Sequence, residues 1–103
     1  MNLIALTGRL GTEPVRKDTT AGVVCEFRLA VDGRPRLWIP IQVWGQLAGR
    51  CAQHLHAGRR IAISGTLCHD EYVTRAGDKA DRWYATAHQV TFLDRPHDTA
   101  GGD

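Results

Sequence analysis

The stretch that decides the fold is RLWIPIQVWGQLAGRCAQHLHAGRRIAISGTL, residues 36–67. Its opening, 36–44, alternates apolar side chains with others, which is the period-two pattern of a strand with one face in a core. Residues 46–56 then carry apolar side chains at helical spacing, and Gly58 stands where a glycine that ends a helix belongs. The alternation returns in 60–67. The stretch therefore predicts a strand, a short helix and a second strand.

The flanking segments add strands on both sides. Residues 2–10 and 23–32 alternate and are bounded by turn sequences, and a tight turn should pair the second of them with 36–44 as a hairpin. After the central stretch, 68–75 and 82–93 are predicted to be the arms of a long hairpin around the tip sequence AGDK. The chain outside the helix and outside the C-terminal residues 96–103 is therefore expected to form strands and turns.

This order of elements predicts an all-β fold, a five-stranded Greek-key OB-fold barrel with one short helix between strands 3 and 4 and an extended C-terminal β-hairpin. An SH3-like barrel is the alternative, because it also combines strands of long-range pairing with little helix. At 103 residues the chain has room for one domain. We assign residues 1–95 to that domain and expect 96–103, which have no large apolar side chain, to be a short disordered tail.

Charge and hydropathy narrow the class of protein. The chain has 13 Lys and Arg against 11 Asp and Glu, and every cation except Lys17 and Lys79 is arginine, which both pairs with phosphate and stacks on bases. A weakly basic, arginine-rich domain is compatible with nucleic acid but does not require it. No apolar run approaches the roughly 20 residues of a membrane span, and no basic region precedes the first one. We therefore expect a cytoplasmic protein with no membrane contact.

The cysteines, histidines and carboxylates do not form a metal-binding or catalytic pattern. There is no CxxC pair, and His54 and His56 stand two apart on the predicted helix, where side chains of one face are three or four apart. The acidic residues at 70–71 and 78–81 fall in the hairpin and its tip, and no nucleophile or phosphate-loop motif is present. We expect no metal, no cofactor, no small-molecule substrate and no enzymatic activity.

Exposed aromatic side chains are the most informative feature of the sequence. Trp38 and Trp44 fall on the strand face opposite the predicted core, and Tyr72 and Trp83 lie on the hairpin arms. Exposed aromatics stack on bases of any sequence, at roughly 1–3 kcal/mol per base. The alternative for any one of them is packing in the core or in a subunit interface. Interleaved arginines are candidates for phosphate and ring contacts, namely Arg28, Arg36, Arg75 and Arg82.

The sequence also resembles the bacterial single-stranded DNA-binding protein (SSB) family over residues 1–95. The most specific matches are a W-x-x-x-x-x-W-G-x-L-A block at 38–48 and an A-G-x-x-I-x-I-x-G-x-L block at 57–67. The resemblance implies an OB fold that binds single-stranded DNA without sequence preference in replication, repair and recombination, in the bacterial cytoplasm at the nucleoid. A primosomal replication protein of the PriB type, a short OB-fold adaptor, is the alternative, although it matches less well at 38–48.

Site residues follow from the resemblance position by position. Trp38 and Trp44 match base-stacking positions of the third strand, and Tyr72 matches an aromatic position after the fourth. Trp83 matches an often aromatic or bulky position of the last strand, and Lys17 or Arg16 lies near a basic position after the first turn. The resemblance also implies a homo-oligomer, a tetramer built as a dimer of dimers or a dimer. We expect its interface to include the apolar edge of the first strand, which the sequence suggests is exposed, at Asn2, Ile4 and Leu6.

Some positions depart from the family pattern. Acidic Asp70 and Glu71 precede Tyr72 where basic residues are frequent, and Gln46 and Ala57 stand where lysine is frequent. We therefore expect fewer neutralised phosphates and a shallower dependence of affinity on salt than is usual in the family. Residues 96–103 also lack the acidic and apolar tip with which long family tails recruit partners, so we expect DNA binding without that recruitment.

Overall fold

The structure, a computed structural model, describes residues 1–93 and contains six strands and one helix. The elements, in chain order, are β1 (Ile4–Leu10), β2 (Val15–Thr19), β3 (Gly22–Val31), β4 (Leu37–Trp44), α1 (Gly45–His54), β5 (Arg60–Val73) and β6 (Lys79–Phe92). The predicted tail, 96–103, and the last two residues of the predicted domain lie outside the described residues. Within 1–93 there is no helix long and apolar enough to cross a membrane.

Five of the strands close into a ring. β1 pairs antiparallel with both β3 and β5, and β3–β4 and β5–β6 are antiparallel hairpin pairs. The ring closes through a short parallel contact between β4 and β6, in which Ile41 lies beside Ala85 and Gln42 beside Thr86. With α1 between the third and fourth ring strands, this is the predicted OB order. β2 stands outside the ring and pairs only with β3.

The strands differ from the prediction in two details. The segment after Pro14, to which the sequence pattern assigned no element, forms β2, whose polar and fully exposed sequence VRKDT carries no strand pattern and is held by its pairing with β3. The tight turn into β3 relies on Gly22, whose φ of +126° is a conformation that side chains disfavour. The predicted segments 60–67 and 68–75 are one continuous strand, β5, which runs out of the barrel into the hairpin.

Inward side chains of the ring and of α1 form one core. As predicted, the apolar face of β3 is buried, and so are the later core positions of β4, with α1 and Leu55 covering one end of the barrel. Burial raises the pKa of the core Cys51 thiol to about 11, so this thiol stays protonated and unreactive at neutral pH. The buried core consists of Leu10, Cys25, Phe27, Leu29, Val31, Ile41, Val43, Ala48, Cys51, Leu55, Ile61, Ile63, Ala85 and Ala87.

Glycine is required at two places where a side chain would meet the backbone of a neighbouring strand. A Cβ atom on Gly8 would collide with the backbone carbonyl of Ala30, and one on Gly65 would collide with that of Thr86. Gly65 also adjoins the irregularity in the β5–β6 ladder. Because backbone rather than flexible side chain is in the way, neither site can take alanine without a shift of the barrel wall.

Candidate nucleic-acid interface

The outward face of β4 carries two exposed tryptophans. Trp38 is 49 % exposed and Trp44 is 38 % exposed, so neither is a core residue. The Trp38 ring lies against Gly11, where a Cβ atom would collide with it, and the Arg28 guanidinium carbon is 6.0 Å from the ring centroid. The lack of a side chain at Gly11 and the neighbouring cation therefore set where this ring lies.

A series of polar contacts holds the indole of Trp44 in place. The Trp44 indole Nε1 donates to Gln42 Oε1 at 2.9 Å, and Gln42 Nε2 donates to Glu26 Oε2 at 3.4 Å. Lys17 on β2 completes it, with Nζ 3.0 Å from Glu26 Oε1. Chiefly because Lys17 donates to it, the pKa of Glu26 lies below its ordinary value, and this carboxylate is ionised at neutral pH. The predicted cation Lys17 is thus paired across the β2–β3 ladder.

A groove of about 430 Å³ lies beside these residues, between β2, β3, β4 and β6. Arg82 and Tyr84 of β6 form one wall, with the Arg82 guanidinium carbon 4.8 Å from the Tyr84 ring centroid. We call this site the groove throughout. The side chains that line it and enter the argument below are Val15, Lys17, Glu26, Arg28, Pro40, Gln42, Arg82 and Tyr84.

Tyr72 lies on the same side of the β5–β6 hairpin as the groove wall. The ladder pairs Tyr72 with Ala80 and Asp70 with Arg82, so these residues share a face with Tyr84, two positions further along. Tyr84 OH donates to Asp70 Oδ1 at 3.5 Å, and Arg82 Nη2 lies 3.8 Å from Asp70 Oδ2. Burial, followed by the Asp70 charge, raises the pKa of Tyr84. Asp70 therefore already holds two groups that could face DNA.

Trp83 lies on the opposite side of the hairpin. Its ladder partner is His69, and the two ring centroids are 4.4 Å apart. His69 Nε2 is in turn 2.9 Å from Asp81 Oδ2. Trp83 is 58 % exposed, but the structure does not bring it together with the other three predicted aromatics. We call the surface formed by His69, Asp81 and Trp83 the reverse face.

The remaining predicted cations lie at two exposed turns. Arg36 immediately precedes β4, and Arg75 lies at the tip of the hairpin. Neither forms an ion pair with another residue in the described part of the chain, whereas Arg82 is paired with Asp70 and Arg28 lies near Trp38. The cations at the groove are Lys17, Arg28 and Arg82.

Two of the three predicted interface residues are less exposed than the sequence suggested. Ile4 and Leu6 are half-buried and pack against the barrel core, so the expectation that they form an exposed apolar surface was wrong. Their inward orientation follows from the pairing of β1 with β5, which places even-numbered β1 residues toward the core. Asn2 extends that pairing: its Nδ2 donates to Leu67 O at 2.9 Å, and Leu67 N donates to Asn2 Oδ1 at 3.0 Å.

Tyr84, Glu26 and Gln42 were missed by the sequence reasoning. The signal for Tyr84 was available, because it alternates with Ala85 and Ala87, whose small size suits a crowded barrel interior, and therefore faces outward. Glu26 and Gln42 gave no such signal, since their roles depend on the register of three strands. In residues 1–93, no three His, Cys, Asp or Glu side chains are grouped so that they could hold a metal ion.

A five-stranded OB barrel with aromatics and cations on one outward surface is the architecture of proteins that bind single-stranded nucleic acid. The family model of the Single-strand binding protein family matches residues 1–93, and this chain belongs to that family. The structure is similar to that of a small single-stranded DNA-binding protein from Streptomyces coelicolor, with a TM-score of 0.76 and 24 % identity, covering 88 % of this chain and 93 % of that one. This likeness supports the OB prediction over the SH3-like alternative.

Two relatives illustrate the sequence similarity. Single-stranded DNA-binding protein 3 of Clostridium acetobutylicum is 33 % identical, with 91 % of this chain and 72 % of the relative covered. Single-stranded DNA-binding protein 1 of Chlorobaculum tepidum is 36 % identical, with 84 % of this chain and 59 % of the relative covered. The chain therefore spans somewhat over half of the length of the second relative.

Proposed function

We propose that this protein binds single-stranded DNA without marked sequence preference and performs no covalent chemistry. The observation that carries the proposal is the continuous outward surface of β3, β4 and β6, on which Trp38, Trp44 and Tyr84 lie among cations. Bases would stack on the rings while arginine and lysine neutralise phosphates, and neither interaction depends on which base is present. The names of the relatives support this function, and the match across the described chain favours it over the primosomal adaptor.

The proposed roles follow from position. Trp38, Trp44 and Tyr72 are stacking residues, and Trp83 is a further stacking position if the strand also contacts the reverse face. Phosphate contacts are assigned to Lys17, Arg28, Arg36, Arg75 and Arg82. Coating of single strands in replication, repair and recombination is the cellular role that this activity serves in the family, and it implies a cytoplasmic location at the nucleoid.

The backbone of the first strand, and not exposed apolar side chains, supports a homo-oligomer. β3 pairs with β1 only from Gly8 onward, so within residues 1–93 the backbone edge of 4–6 on that side has no partner strand. Unpaired edges of this kind are normally covered. We propose that two copies pair along this edge around a two-fold axis, within a dimer of dimers or a simple dimer.

Leu3→Lys tests the assembly, because Leu3 is 70 % exposed and its change spares the core, whereas Ile4→Lys would also disturb the barrel. Light scattering should give a mass of several chains for the unaltered protein and a smaller one for Leu3→Lys. A one-chain mass of the unaltered protein at micromolar concentration contradicts the oligomer.

DNA binding is tested by titrating tryptophan fluorescence with oligo-dT and with a duplex of equal length. We expect strong quenching by the single strand, weak quenching by the duplex, and an affinity that falls as salt rises. The control is the same titration with an anionic polymer that has no bases, such as polyphosphate, which should bind weakly and leave the rings unquenched. Equal affinity for duplex and single strand, or none for either, contradicts the proposed function.

A further inference from the structure

The groove has a feature that sequence-independent stacking does not explain, namely a carboxylate and an amide, those of Glu26 and Gln42, among its cationic lining side chains. We infer that the groove holds one nucleobase and that Glu26 accepts a hydrogen bond from that base's exocyclic amino group, which gives the protein a preference for cytosine over uracil at one position. The inference rests on the proposed function, because the base belongs to the bound single strand.

The walls of the groove fit a flat aromatic ring. The aromatic ring of Tyr84, over which the Arg82 guanidinium lies 4.8 Å from the centroid, and the apolar side chains of Val15 and Pro40 line the groove. A base in this position would stack on Tyr84 as other bases stack on the tryptophans of β4. Lys17, Arg28 and Arg82 also line the groove and would contact the phosphates on either side of an inserted base. The groove thus has the parts of a nucleotide site, an aromatic wall and cationic side chains.

Glu26 has acceptor capacity left for a ligand. Oε1 receives the Lys17 ammonium and Oε2 receives the long 3.4 Å bond from Gln42, while each carboxylate oxygen can accept two hydrogen bonds. The side chain of Glu26 is one-third exposed and lines the groove, so these free acceptor sites are accessible. Because Lys17 lowers the pKa of Glu26, the group is an ionised acceptor and not a donor at neutral pH.

An acceptor-only group distinguishes the bases by their edges. Cytosine presents an N4 amino group, and Glu or Asp accepting from that group is a recurrent base contact. Uracil presents a carbonyl oxygen at the same place, and the oxygens that flank its N3–H repel a carboxylate. The two bases are otherwise the same size and shape, so stacking on Tyr84 and phosphate contacts should differ little between them. Glu26 is therefore proposed as a specificity-determining residue.

The test compares oligo-dC with oligo-dU of equal length at pH 7.5, each competing with a labelled oligo-dT for the full chain. We expect oligo-dC to bind about fivefold more tightly than oligo-dU, within the range that one good base contact contributes. Equal affinities would overturn the inference and leave the proposed function intact. Failure of every oligonucleotide to bind would instead overturn the proposed function.

The Glu26→Gln variant tests whether a preference for oligo-dC over oligo-dU comes from Glu26. The amide can both donate and accept, so we expect the dC-to-dU ratio to fall to about one. The variant also releases Lys17 toward phosphate, which should raise the affinity for both strands, and only the ratio isolates the base contact. Asp18→Asn removes the same charge from the adjoining β2 strand, where Asp18 pairs with Arg16 outside the groove, and should keep the ratio unchanged. A ratio that survives Glu26→Gln would show that another group reads the base.

Discussion

The two faces of the β5–β6 hairpin carry the same kinds of residue, but only one of them is continuous with the groove. On one face Arg82 and Tyr84 line the groove, and Tyr72 lies further along the same face of the hairpin. On the reverse face the Trp83 ring lies against that of His69 at an interplanar angle of 39°, and His69 is paired with Asp81. Because side chains alternate along a strand, neighbours such as Trp83 and Tyr84 belong to separate surfaces. Adjacency in sequence is therefore a poor guide to which aromatics could contact one DNA strand.

The barrel explains which face is which. Ala85 and Ala87 point into the core, so the reverse face is the continuation of the barrel interior along β6. Trp83 belongs to the same face as Ala85 and Ala87, but it lies in the part of the hairpin that extends beyond the barrel. Its ring is therefore exposed although the face is the inward one. The groove-side face is instead continuous with the outer surface of β4 through the parallel pair Gln42–Thr86.

The largest expected change in DNA affinity comes from a comparison of two variants, each of which removes one aromatic ring from a different surface. Trp44→Ala should weaken oligo-dT binding about tenfold, because one stacked base is lost. Trp83→Ala should weaken it about twofold or less if the strand follows the groove-side surface only. Fluorescence anisotropy of a labelled oligonucleotide gives both affinities, and circular dichroism confirms that each variant is folded. Comparable losses in the two variants would show that DNA contacts both faces of the hairpin.

Much of the fold was predictable from the sequence, and the division of the aromatics was not. The alternation in 36–44 and 60–67 and the apolar spacing of the helix report directly on burial, so the ring strands and α1 were predicted with shifts of a few residues at their ends. β2 was missed because its exposed polar side chains carry no such pattern. The placement of Trp83 away from Tyr72 depends on the register of β5 with β6, which turn sequences alone do not fix.

A smaller effect should come from two neighbouring acids. Asp70 shares the face of Arg82 and Tyr84 and interacts with both, whereas Glu71 lies on the reverse side of the same strand. Asp70→Asn should release Arg82 toward phosphate, raise the affinity about threefold at low salt, and steepen the slope of log affinity against log salt by about 0.7 for one more neutralised phosphate. Salt titrations measure both quantities.

Glu71→Gln is the matched control, with the same loss of charge one residue away. It should raise affinity less than Asp70→Asn and leave the slope nearly unchanged, because no cation is released on the groove side. If Glu71→Gln steepens the slope as much as Asp70→Asn does, the change in slope comes from the loss of negative charge in general and does not depend on which face of the hairpin carries the acid.

The position of Trp38 offers a subtler perturbation of the groove-side surface. Gly11→Ala places a methyl group against the Trp38 ring, which must then rotate or shift, and we expect a loss of about twofold to threefold in oligo-dT affinity with little loss of stability. Gly49→Ala is the control, since the space beside this helical glycine is open and alanine should stabilise α1 by roughly 0.5–1 kcal/mol without altering binding. A Gly11→Ala protein with unchanged affinity would contradict a stacking role for the Trp38 ring in its present position.

The smallest expected effect is on the reverse face itself. Asp81→Asn removes the partner of His69, but the Asp81 side chain is 62 % exposed, so solvent screens the interaction and the free energy of unfolding should change by about 0.5 kcal/mol or less. His69 is then free to move on Trp83, and the emission of the unliganded protein should change while the oligo-dT affinity stays within about twofold. Urea unfolding and fluorescence titration measure the two quantities on one sample. An affinity gain equal to that of Asp70→Asn would mean that phosphates pass close to Asp81, and the strand would then have to cross the hairpin edge onto the side where Trp83 lies.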